Sequence, residues 1–181
     1  NTEHMVGFMD LNDERSWLRQ LDYYAYLHAE LDRSLQGILD VLDELGIYDD
    51  TVIAYTSDHG DACGSHGLRA KLPCVYEEVM GVPLIMKVPG VTQAGTETDA
   101  LATHVDLATT LCALGGVDID DAPTLSGVDL SPALADPSAS PRDYVFFSQD
   151  AAQSDLIANT RYAVRGFFDG VAGVGDQVGL G

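Results

Sequence analysis

The chain has 181 residues, of which 46% are hydrophobic, so it can bury a folded core and does not have a disordered composition. Its formal net charge is −20, from 29 acidic and 9 basic residues, and this surface repels a phosphate backbone, which excludes nucleic acid as an expected partner. No run approaches the roughly 20 apolar residues that span a bilayer, and no signal peptide follows Asn1, so no membrane partner is expected and a cytoplasmic location is favoured.

The acidic residues are spread along the chain and do not form a single tail. Only two of the basic residues are lysines, Lys71 and Lys87. A dispersed negative surface is strongly hydrated and repels itself, and dissolved salt screens that repulsion. We therefore favour adaptation to high salt over the alternative of an ordinary acidic protein.

Cysteine usage does not indicate an oxidising compartment. Cys63, Cys74 and Cys112 are three in number, so they cannot all pair within one chain. Their spacing is not C-x-x-C, and no histidine follows at the distance of a zinc finger. Buried free thiols are the favoured interpretation.

The first predicted element is a long helix from about Trp17 to Leu45, followed by Gly46 as the residue just past its end. Apolar positions recur at intervals of three and four, which is the spacing of one helix face. The face comprises Leu21, Tyr24, His28, Leu31, Leu35, Ile38, Leu42 and Leu45. Because His28 lies on this apolar face, we expect a core histidine there and not a ligand.

A β-branched and apolar run at 51–56 predicts a buried strand, and the polar loop 57–61 ends it. A helix, a turn, a strand and then a polar loop is the α/β pattern. In open α/β sheets, ligands gather at the carboxyl ends of the strands. Asp58 and His59 lie at such an end.

The rest of the chain continues the alternation of strands and helices. The predicted elements are a strand at 82–88, a helix at 103–114, a loop at 117–141, and short strands at 144–147 and 162–164. We assign residues 1–165 to one partial α/β domain. The tail at 166–181 is rich in glycine, has little to pack, and is predicted to be disordered.

The residues around Asp58 allow two interpretations. An aspartate and a histidine at a rigid strand end can bind a cation together. Alternatively, Asp58 caps the following turn and His59 packs beside it. On residue chemistry alone, the cap is favoured over the metal site.

Several ordered motifs resemble the sulfatase family of the alkaline phosphatase superfamily, which shows S-D-H/N-G, G-x-H-G-L, K, Y-E-E and V-P-L-I in this order. The corresponding residues here are 57–60, 64–68, Lys71, 76–78 and 82–85, and further similarity lies at 104–111, 115–117, 126–130 and 161–165. The similarity covers about residues 20–168. It implies part of an alkaline-phosphatase-like mixed sheet flanked by helices, with the N-terminal strands missing.

The resemblance implies roles for individual residues. Asp58 and His59 match two late ligands of a divalent cation, Ca²⁺, Mg²⁺ or Mn²⁺, and the histidine shifts the preference towards Mn²⁺. Lys71 matches a lysine that contacts the sulfate oxygens. His66 either contacts the substrate or its leaving oxygen, or only holds the loop. Asp61 is expected to fix the loop or to orient a ligand.

Glu77 and Glu78 are expected to cap a helix or to pair locally. They are not assigned a chemical role.

The implied function is that of a sulfuric ester hydrolase acting on a small sulfate ester. The family's nucleophile is a formylglycine made from the first residue of C-x-P-x-R or S-x-P-x-R, and neither motif occurs here. Formylglycine is therefore expected in a missing N-terminal part, which the chain needs for activity, and neither Cys63 nor Cys74 is a nucleophile. A phosphodiesterase or phosphonate monoester hydrolase of the same superfamily, or a non-catalytic acidic remnant, stays open.

Overall fold

The computed structural model describes residues 13–68, 70–71, 76–117, 124–149 and 161–166. The chain forms two compact units that divide between Pro89 and Gly90. Most of the predicted glycine-rich tail, from 167 onwards, lies outside the described residues, so the boundary at 165 stays a prediction. Within the part of the chain that is described, no helix combines the length and the apolar character needed to cross a bilayer.

Helix α1 (Glu14–Glu44) opens the first unit and confirms the predicted long helix. Its start is capped by Asp13, whose carboxylate accepts a hydrogen bond from the backbone N–H of Ser16 at 3.2 Å. Its end is closed by Gly46 with a φ of 67°, a left-handed conformation that glycine adopts without steric cost. The cap places the start of the helix three residues before Trp17.

The apolar face of α1 is not covered, because no residue of this helix is buried in the structure. The prediction that His28 is a core histidine is therefore wrong. Its side chain is exposed, its Nδ1 lies 2.9 Å from the carbonyl oxygen of Tyr24, and its ring meets the Tyr24 ring edge-on at 4.4 Å. The hydrogen-bonding need of His28 Nδ1 is therefore met within the helix, by the Tyr24 carbonyl oxygen, while the side chain stays exposed.

Strands β1 (Ile53–Thr56) and β2 (Leu84–Lys87) confirm the two predicted strands of the first unit. They pair antiparallel, with Ile53 opposite Lys87 and Thr56 opposite Leu84. The expected burial of β1 is wrong, since its residues are exposed or half-buried. The physical reason is that β2 is its one described neighbour strand, and an open groove of about 540 Å³ lies between the strands and α1.

Lys87 joins the turn after α1 to the end of β2. Its Nζ donates to the carbonyl oxygens of Tyr48 at 2.7 Å and Thr51 at 3.4 Å. The same ammonium group lies 4.4 Å from the centroid of the Tyr48 ring, a cation–π distance. One of the two lysines of the chain is therefore used to hold the fold together.

The short helix α2 (Glu77–Met80) precedes helix α3 (His104–Leu114) along the chain. Helix α3 is the centre of the second unit and confirms the predicted helix at 103–114. Its Asp106 is completely buried. The Asp106 carboxylate accepts hydrogen bonds from the backbone N–H of Thr103 at 2.6 Å and of Val128 at 2.8 Å, and it forms an ion pair with Arg142. One carboxylate thus caps the helix and fixes two later segments.

The segment after residue 124 lies against α3. The N–H of Leu130 donates to the hydroxyl of Thr110 at 3.0 Å, and a Cβ added at Gly127 would lie 2.1 Å from the carbonyl oxygen of Val105. Helix α4 (Ser131–Ala135) then begins with Pro132 in its first turn. This helix corrects the prediction of a continuous loop at 117–141, because proline suits a first helical turn as well as a loop.

Strands β3 (Tyr144–Gln149) and β4 (Arg161–Gly166) complete the second unit. They pair antiparallel from Tyr144 opposite Gly166 to Gln149 opposite Arg161. Both predicted strands are confirmed, and both are longer than predicted because their polar ends also join the backbone ladder.

We predict that Asp106→Asn lowers the free energy of unfolding by about 3 kcal/mol, since it leaves Arg142 without its buried counter-charge. Urea unfolding followed by circular dichroism measures the change. Asp99→Asn is the matched control, because Asp99 is exposed, and it should have little effect. Equal stability of the two variants would show that the Asp106 carboxylate does not organise the second unit.

Candidate active site

Asp58, His59, His66 and Lys71 all lie in the connection between β1 and β2, in the first unit. Because Thr56 is opposite Leu84 in the antiparallel pair, this connection leaves the sheet and returns to it at the same end of the two strands. The predicted site residues are therefore confined to one loop structure.

The connection is drawn together by a backbone hydrogen bond from Gly60 N–H to the carbonyl oxygen of Val79, at 2.8 Å. A Cβ added at Gly60 would lie 2.0 Å from the carbonyl oxygen of Glu78, so this close approach requires glycine. Val79 is buried and forms a small core with Ala62, against which Leu68 packs. Helix α2 is thereby attached to the loop that follows β1.

Asp61 fixes the inside of the loop, as expected from the sequence. Its Oδ1 accepts hydrogen bonds from the backbone N–H groups of Cys63 at 2.8 Å and Ala70 at 3.2 Å. Both of these residues have positive φ, 45° for Cys63 and 63° for Ala70. Non-glycine residues keep such a conformation only where their surroundings enforce it, and such residues cluster at functional sites.

The first half of α1 supports the same loop from one side. A Cβ added at Gly64 would lie 2.8 Å from the Trp17 ring, so the indole ring packs directly on the loop backbone. The side chain of Tyr24 hydrogen-bonds the Cys63 thiol, and burial raises the pKa of the Tyr24 hydroxyl. The long helix is thus the support on which the loop is held.

The environment of Cys63 makes its thiol a poor nucleophile. Burial, the hydrogen bond to Asp61 and the charge of Asp61 together raise the pKa of its thiol to about 11. The thiolate is the nucleophilic form of cysteine, and it is scarce at neutral pH when the pKa is this high. The geometry therefore agrees with the sequence interpretation that Cys63 is not a nucleophile.

Asp58 and His59 place two potential ligand atoms side by side. Asp58 Oδ1 accepts from the backbone N–H of His59 at 3.0 Å, and Asp58 Oδ2 lies 3.5 Å from His59 Nε2. His59 Nδ1 lies 2.8 Å from the carbonyl oxygen of Gly60, which only accepts, so Nδ1 carries a proton. In the neutral ring, Nε2 then offers a lone pair next to a carboxylate oxygen.

This arrangement fits a divalent cation. A backbone carbonyl that accepts from one ring nitrogen is the usual support for a histidine that binds metal through the other. The described residues contain no group of three or more His, Cys, Asp or Glu side chains that could hold a metal ion. Because a hard cation takes about six ligands, Asp58 and His59 would form only part of the ligand set of such a cation.

His66 is held by two partners that the sequence interpretation did not connect to it. Its ring stacks on the Tyr76 ring, with centroids 3.9 Å apart and planes 13° from parallel. Its Nε2 lies 3.5 Å from Glu78 Oε2. A backbone hydrogen bond, together with contacts from Ser65 and His66, lowers the pKa of the Glu78 carboxyl. Sequence spacing could not show this contact, since it depends on how the loop folds back.

Lys71 is exposed and directly follows Ala70, one of the residues with positive φ. Within the described ranges, no hydrogen bond or ion pair is formed by its side chain. The structure thus gathers Asp58 with His59, and His66 with Tyr76 and Glu78. Unlike Lys87, which is bound to backbone carbonyls, Lys71 is available to an anionic ligand.

The Sulfatase family model matches residues 2–117 of the chain. The N-acetylglucosamine-6-O-sulfatase of Bacteroides thetaiotaomicron is 34% identical over 123 residues, which is 68% of this chain and 21% of the relative. Human arylsulfatase A is 34% identical over 125 residues, 65% of this chain and 24% of the relative. The choline-sulfatase of Rhizobium meliloti is 27% identical over 150 residues, 82% of this chain and 28% of the relative. The chain belongs to the sulfatase family.

Solved structures agree with this assignment. A protein solved in complex with its substrate D-glucosamine-2-N,6-O-disulfate superimposes with a TM-score of 0.67 at 29% identity, over 75% of this chain and 27% of that one. A 2-O GAG sulfatase gives a TM-score of 0.74 at 24% identity, over 86% of this chain and 34% of that one, and shows the fold alone. The predicted fold class, an alkaline-phosphatase-like α/β fold, is confirmed. The chain spans about a fifth of the length of the curated relatives it matches first.

We predict that Cys63 in the folded chain reacts with iodoacetamide at pH 8 roughly 100-fold more slowly than an ordinary cysteine. The pKa is raised from 9.0 to about 11, which reduces the thiolate fraction by about that factor, and the rate should rise steeply only as the pH approaches 11. Peptide mass spectrometry after timed quenching measures the rate.

The same chain in concentrated urea is the control, where Cys63 should react at the ordinary rate. Asp61→Asn should accelerate the reaction of the folded chain, because it removes a negative charge that disfavours the thiolate. Rapid labelling of the folded chain at pH 8 would contradict the environment assigned to Cys63.

Proposed function

We propose that this chain supplies the late part of the active site of a metal-dependent sulfatase that hydrolyses a small sulfate monoester. The observation that carries the proposal is the Asp58–His59 arrangement within a chain of the sulfatase family. The ring of His59 is oriented by Gly60 so that its Nε2 faces a carboxylate oxygen, which suits a shared cation.

Asp58 and His59 would hold the divalent cation, Ca²⁺, Mg²⁺ or Mn²⁺, and a bound cation neutralises charge on the sulfate oxygens. Lys71 places a compact positive charge where a tetrahedral anion can be bound, in a chain whose net charge is −20. Its ammonium group stabilises negative charge that develops during ester cleavage. His66 provides a ring nitrogen for the leaving oxygen of the ester.

The remaining ligands and the formylglycine nucleophile are proposed to lie in a segment encoded upstream of Asn1. The chain has no C-x-P-x-R or S-x-P-x-R motif, and its relatives are several times longer. The isolated chain is therefore expected to be inactive, and turnover of a sulfate ester above a buffer blank would contradict this part of the proposal.

We predict that substoichiometric Mn²⁺ selectively broadens the ring NMR signals of His59 in the isotopically labelled 181-residue chain. A paramagnetic ion broadens the nuclei of its ligands first, so the measurement detects weak binding by an incomplete ligand set. Asp58→Asn should strongly reduce the broadening, because it removes the adjacent carboxylate. Asp50→Asn, at an exposed turn before β1, is the control and should leave the broadening unchanged. Equal broadening of His28 and His59 signals would contradict the metal assignment.

We predict that the full-length product of the gene that encodes this chain hydrolyses a sulfate monoester in preference to the matching phosphonate monoester. Its substrate is sought in a panel of sugar sulfates, aryl sulfates and choline sulfate, which the names of its relatives cover. Lys71→Ala should lower kcat/KM by roughly 10²-fold or more, the usual effect of removing one group that stabilises developing charge.

A preference for the phosphonate ester would instead assign the chain to a phosphonate monoester hydrolase of the same superfamily. An inactive full-length product, or an upstream reading frame that is broken, would support a non-catalytic remnant. Either outcome would overturn the proposed sulfatase function.

A further inference from the structure

We propose that Glu78 is a positioning residue for His66: its carboxylate, with the ring of Tyr76, holds the imidazole in one orientation that presents Nδ1 to a substrate oxygen. The assignment of a substrate oxygen as the partner of His66 rests on the proposed function. The orientation of the ring stands on the geometry of the loop alone.

His66 is in a backbone conformation that it would not adopt unaided. Its φ is 57° and its ψ is 19°, which is the left-handed region, and it precedes Gly67, whose φ is also positive at 69°. A residue with a Cβ is disfavoured there, so the surrounding contacts must compensate. A strained histidine in the same loop as a potential metal pair is an arrangement typical of functional sites.

The two partners of His66 restrain the ring in different ways. Tyr76 covers one face of it, with the ring centroids 3.9 Å apart. Glu78 lies at its edge, with Oε2 at 3.5 Å from Nε2. A stack alone allows the ring two orientations related by a 180° turn about the Cβ–Cγ bond, whereas a carboxylate at one nitrogen selects one of them. The two contacts together determine the direction in which Nδ1 faces.

Glu78 is itself held in place. Its carboxylate takes part in a backbone hydrogen bond and interacts with the Ser65 side chain, and these contacts favour the ionised form. Its neighbour Val79 is buried and accepts the hydrogen bond from Gly60, which attaches α2 to the loop. The contact that brings α2 to the loop therefore also brings Glu78 to His66.

The chemistry follows from the donor and acceptor atoms. An ionised carboxylate only accepts, so the ring nitrogen that faces it, Nε2, carries a proton. Within the described residues, Nδ1 of His66 has no hydrogen-bond partner, which leaves it available to exchange a proton with a ligand. A carboxylate behind a histidine also fixes the tautomer of the ring, as in other acid–base pairs.

The placement is tested by proton NMR of the full 181-residue chain. Because its ring lies over Tyr76, His66 should have upfield-shifted ring C–H signals, which His66→Gln identifies by their loss. Tyr76→Leu calibrates the shift by removing the ring current. Glu78→Ala should change how the shift is divided between the Cδ2 and Cε1 protons, because the stacked ring then takes both orientations, whereas Glu77→Gln, a neighbouring charge change on α2, should preserve the division. An unchanged division in Glu78→Ala would overturn the proposal.

The consequence for catalysis is tested in the full-length gene product, with Glu78→Gln and Glu77→Gln. If Glu78 orients a proton donor for the leaving oxygen, Glu78→Gln lowers kcat about 10-fold or more for an alkyl or sugar sulfate and changes KM little. The loss should be much smaller for an aryl sulfate with a good leaving group, which needs no proton. Glu77→Gln should leave both rates unchanged.

The outcomes separate this proposal from the proposed function. An equal loss of kcat for both kinds of ester would show a general structural role for Glu78 and would overturn the positioning assignment. If the full-length product has no sulfatase activity, the proposed function fails, while the NMR experiment still decides whether Glu78 positions the ring.

Discussion

The antiparallel pairing of β1 with β2 is the constraint on which the candidate site depends. Thr56 and Leu84 are opposite each other, so a long and irregular connection must begin and end at the same end of the two strands. Two short contacts then shape it: Gly60 N–H to the Val79 carbonyl, and the Asp61 carboxylate to two backbone N–H groups. A loop rich in polar groups is stable at the end of a sheet only when such bonds satisfy its backbone N–H and C=O groups. The site residues therefore occupy positions that the backbone fixes.

The most regular parts of the chain could be predicted from the sequence, and the predicted helices and strands are confirmed within a few residues, whereas the short helix α4 lies where a loop was predicted. Burial could not be predicted in the same way. The apolar stripe of α1 and the apolar run of β1 indicate surfaces that favour burial, but periodicity does not show what covers them. In the described structure these surfaces line a groove, so His28 and β1 are more exposed than their patterns indicate.

The candidate site could be predicted only in part, for a related reason. Asp58 and His59 are adjacent in the sequence, and their proximity follows from that alone. The contact between His66 and Glu78 spans a loop with left-handed residues, and a histidine at positive φ has no sequence signal of the kind that glycine provides. Likewise, residue type does not distinguish the two lysines. Lys87 is bound by the carbonyls of Tyr48 and Thr51, while Lys71 is exposed.

The orientation of His59 bears most directly on the choice between a metal pair and a simple loop cap. The Asp58 carboxylate does accept the His59 N–H, so a capping contact is present. A cap, however, leaves the imidazole free to turn away, whereas here Gly60 holds Nδ1 and Nε2 faces Asp58 Oδ2. With a neutral ring, two electron-rich atoms face each other, which is unfavourable unless a proton or a cation lies between them. An exposed ion pair with a protonated ring contributes little stability, and the shared cation proposed above supplies a physical reason for the arrangement that a cap does not.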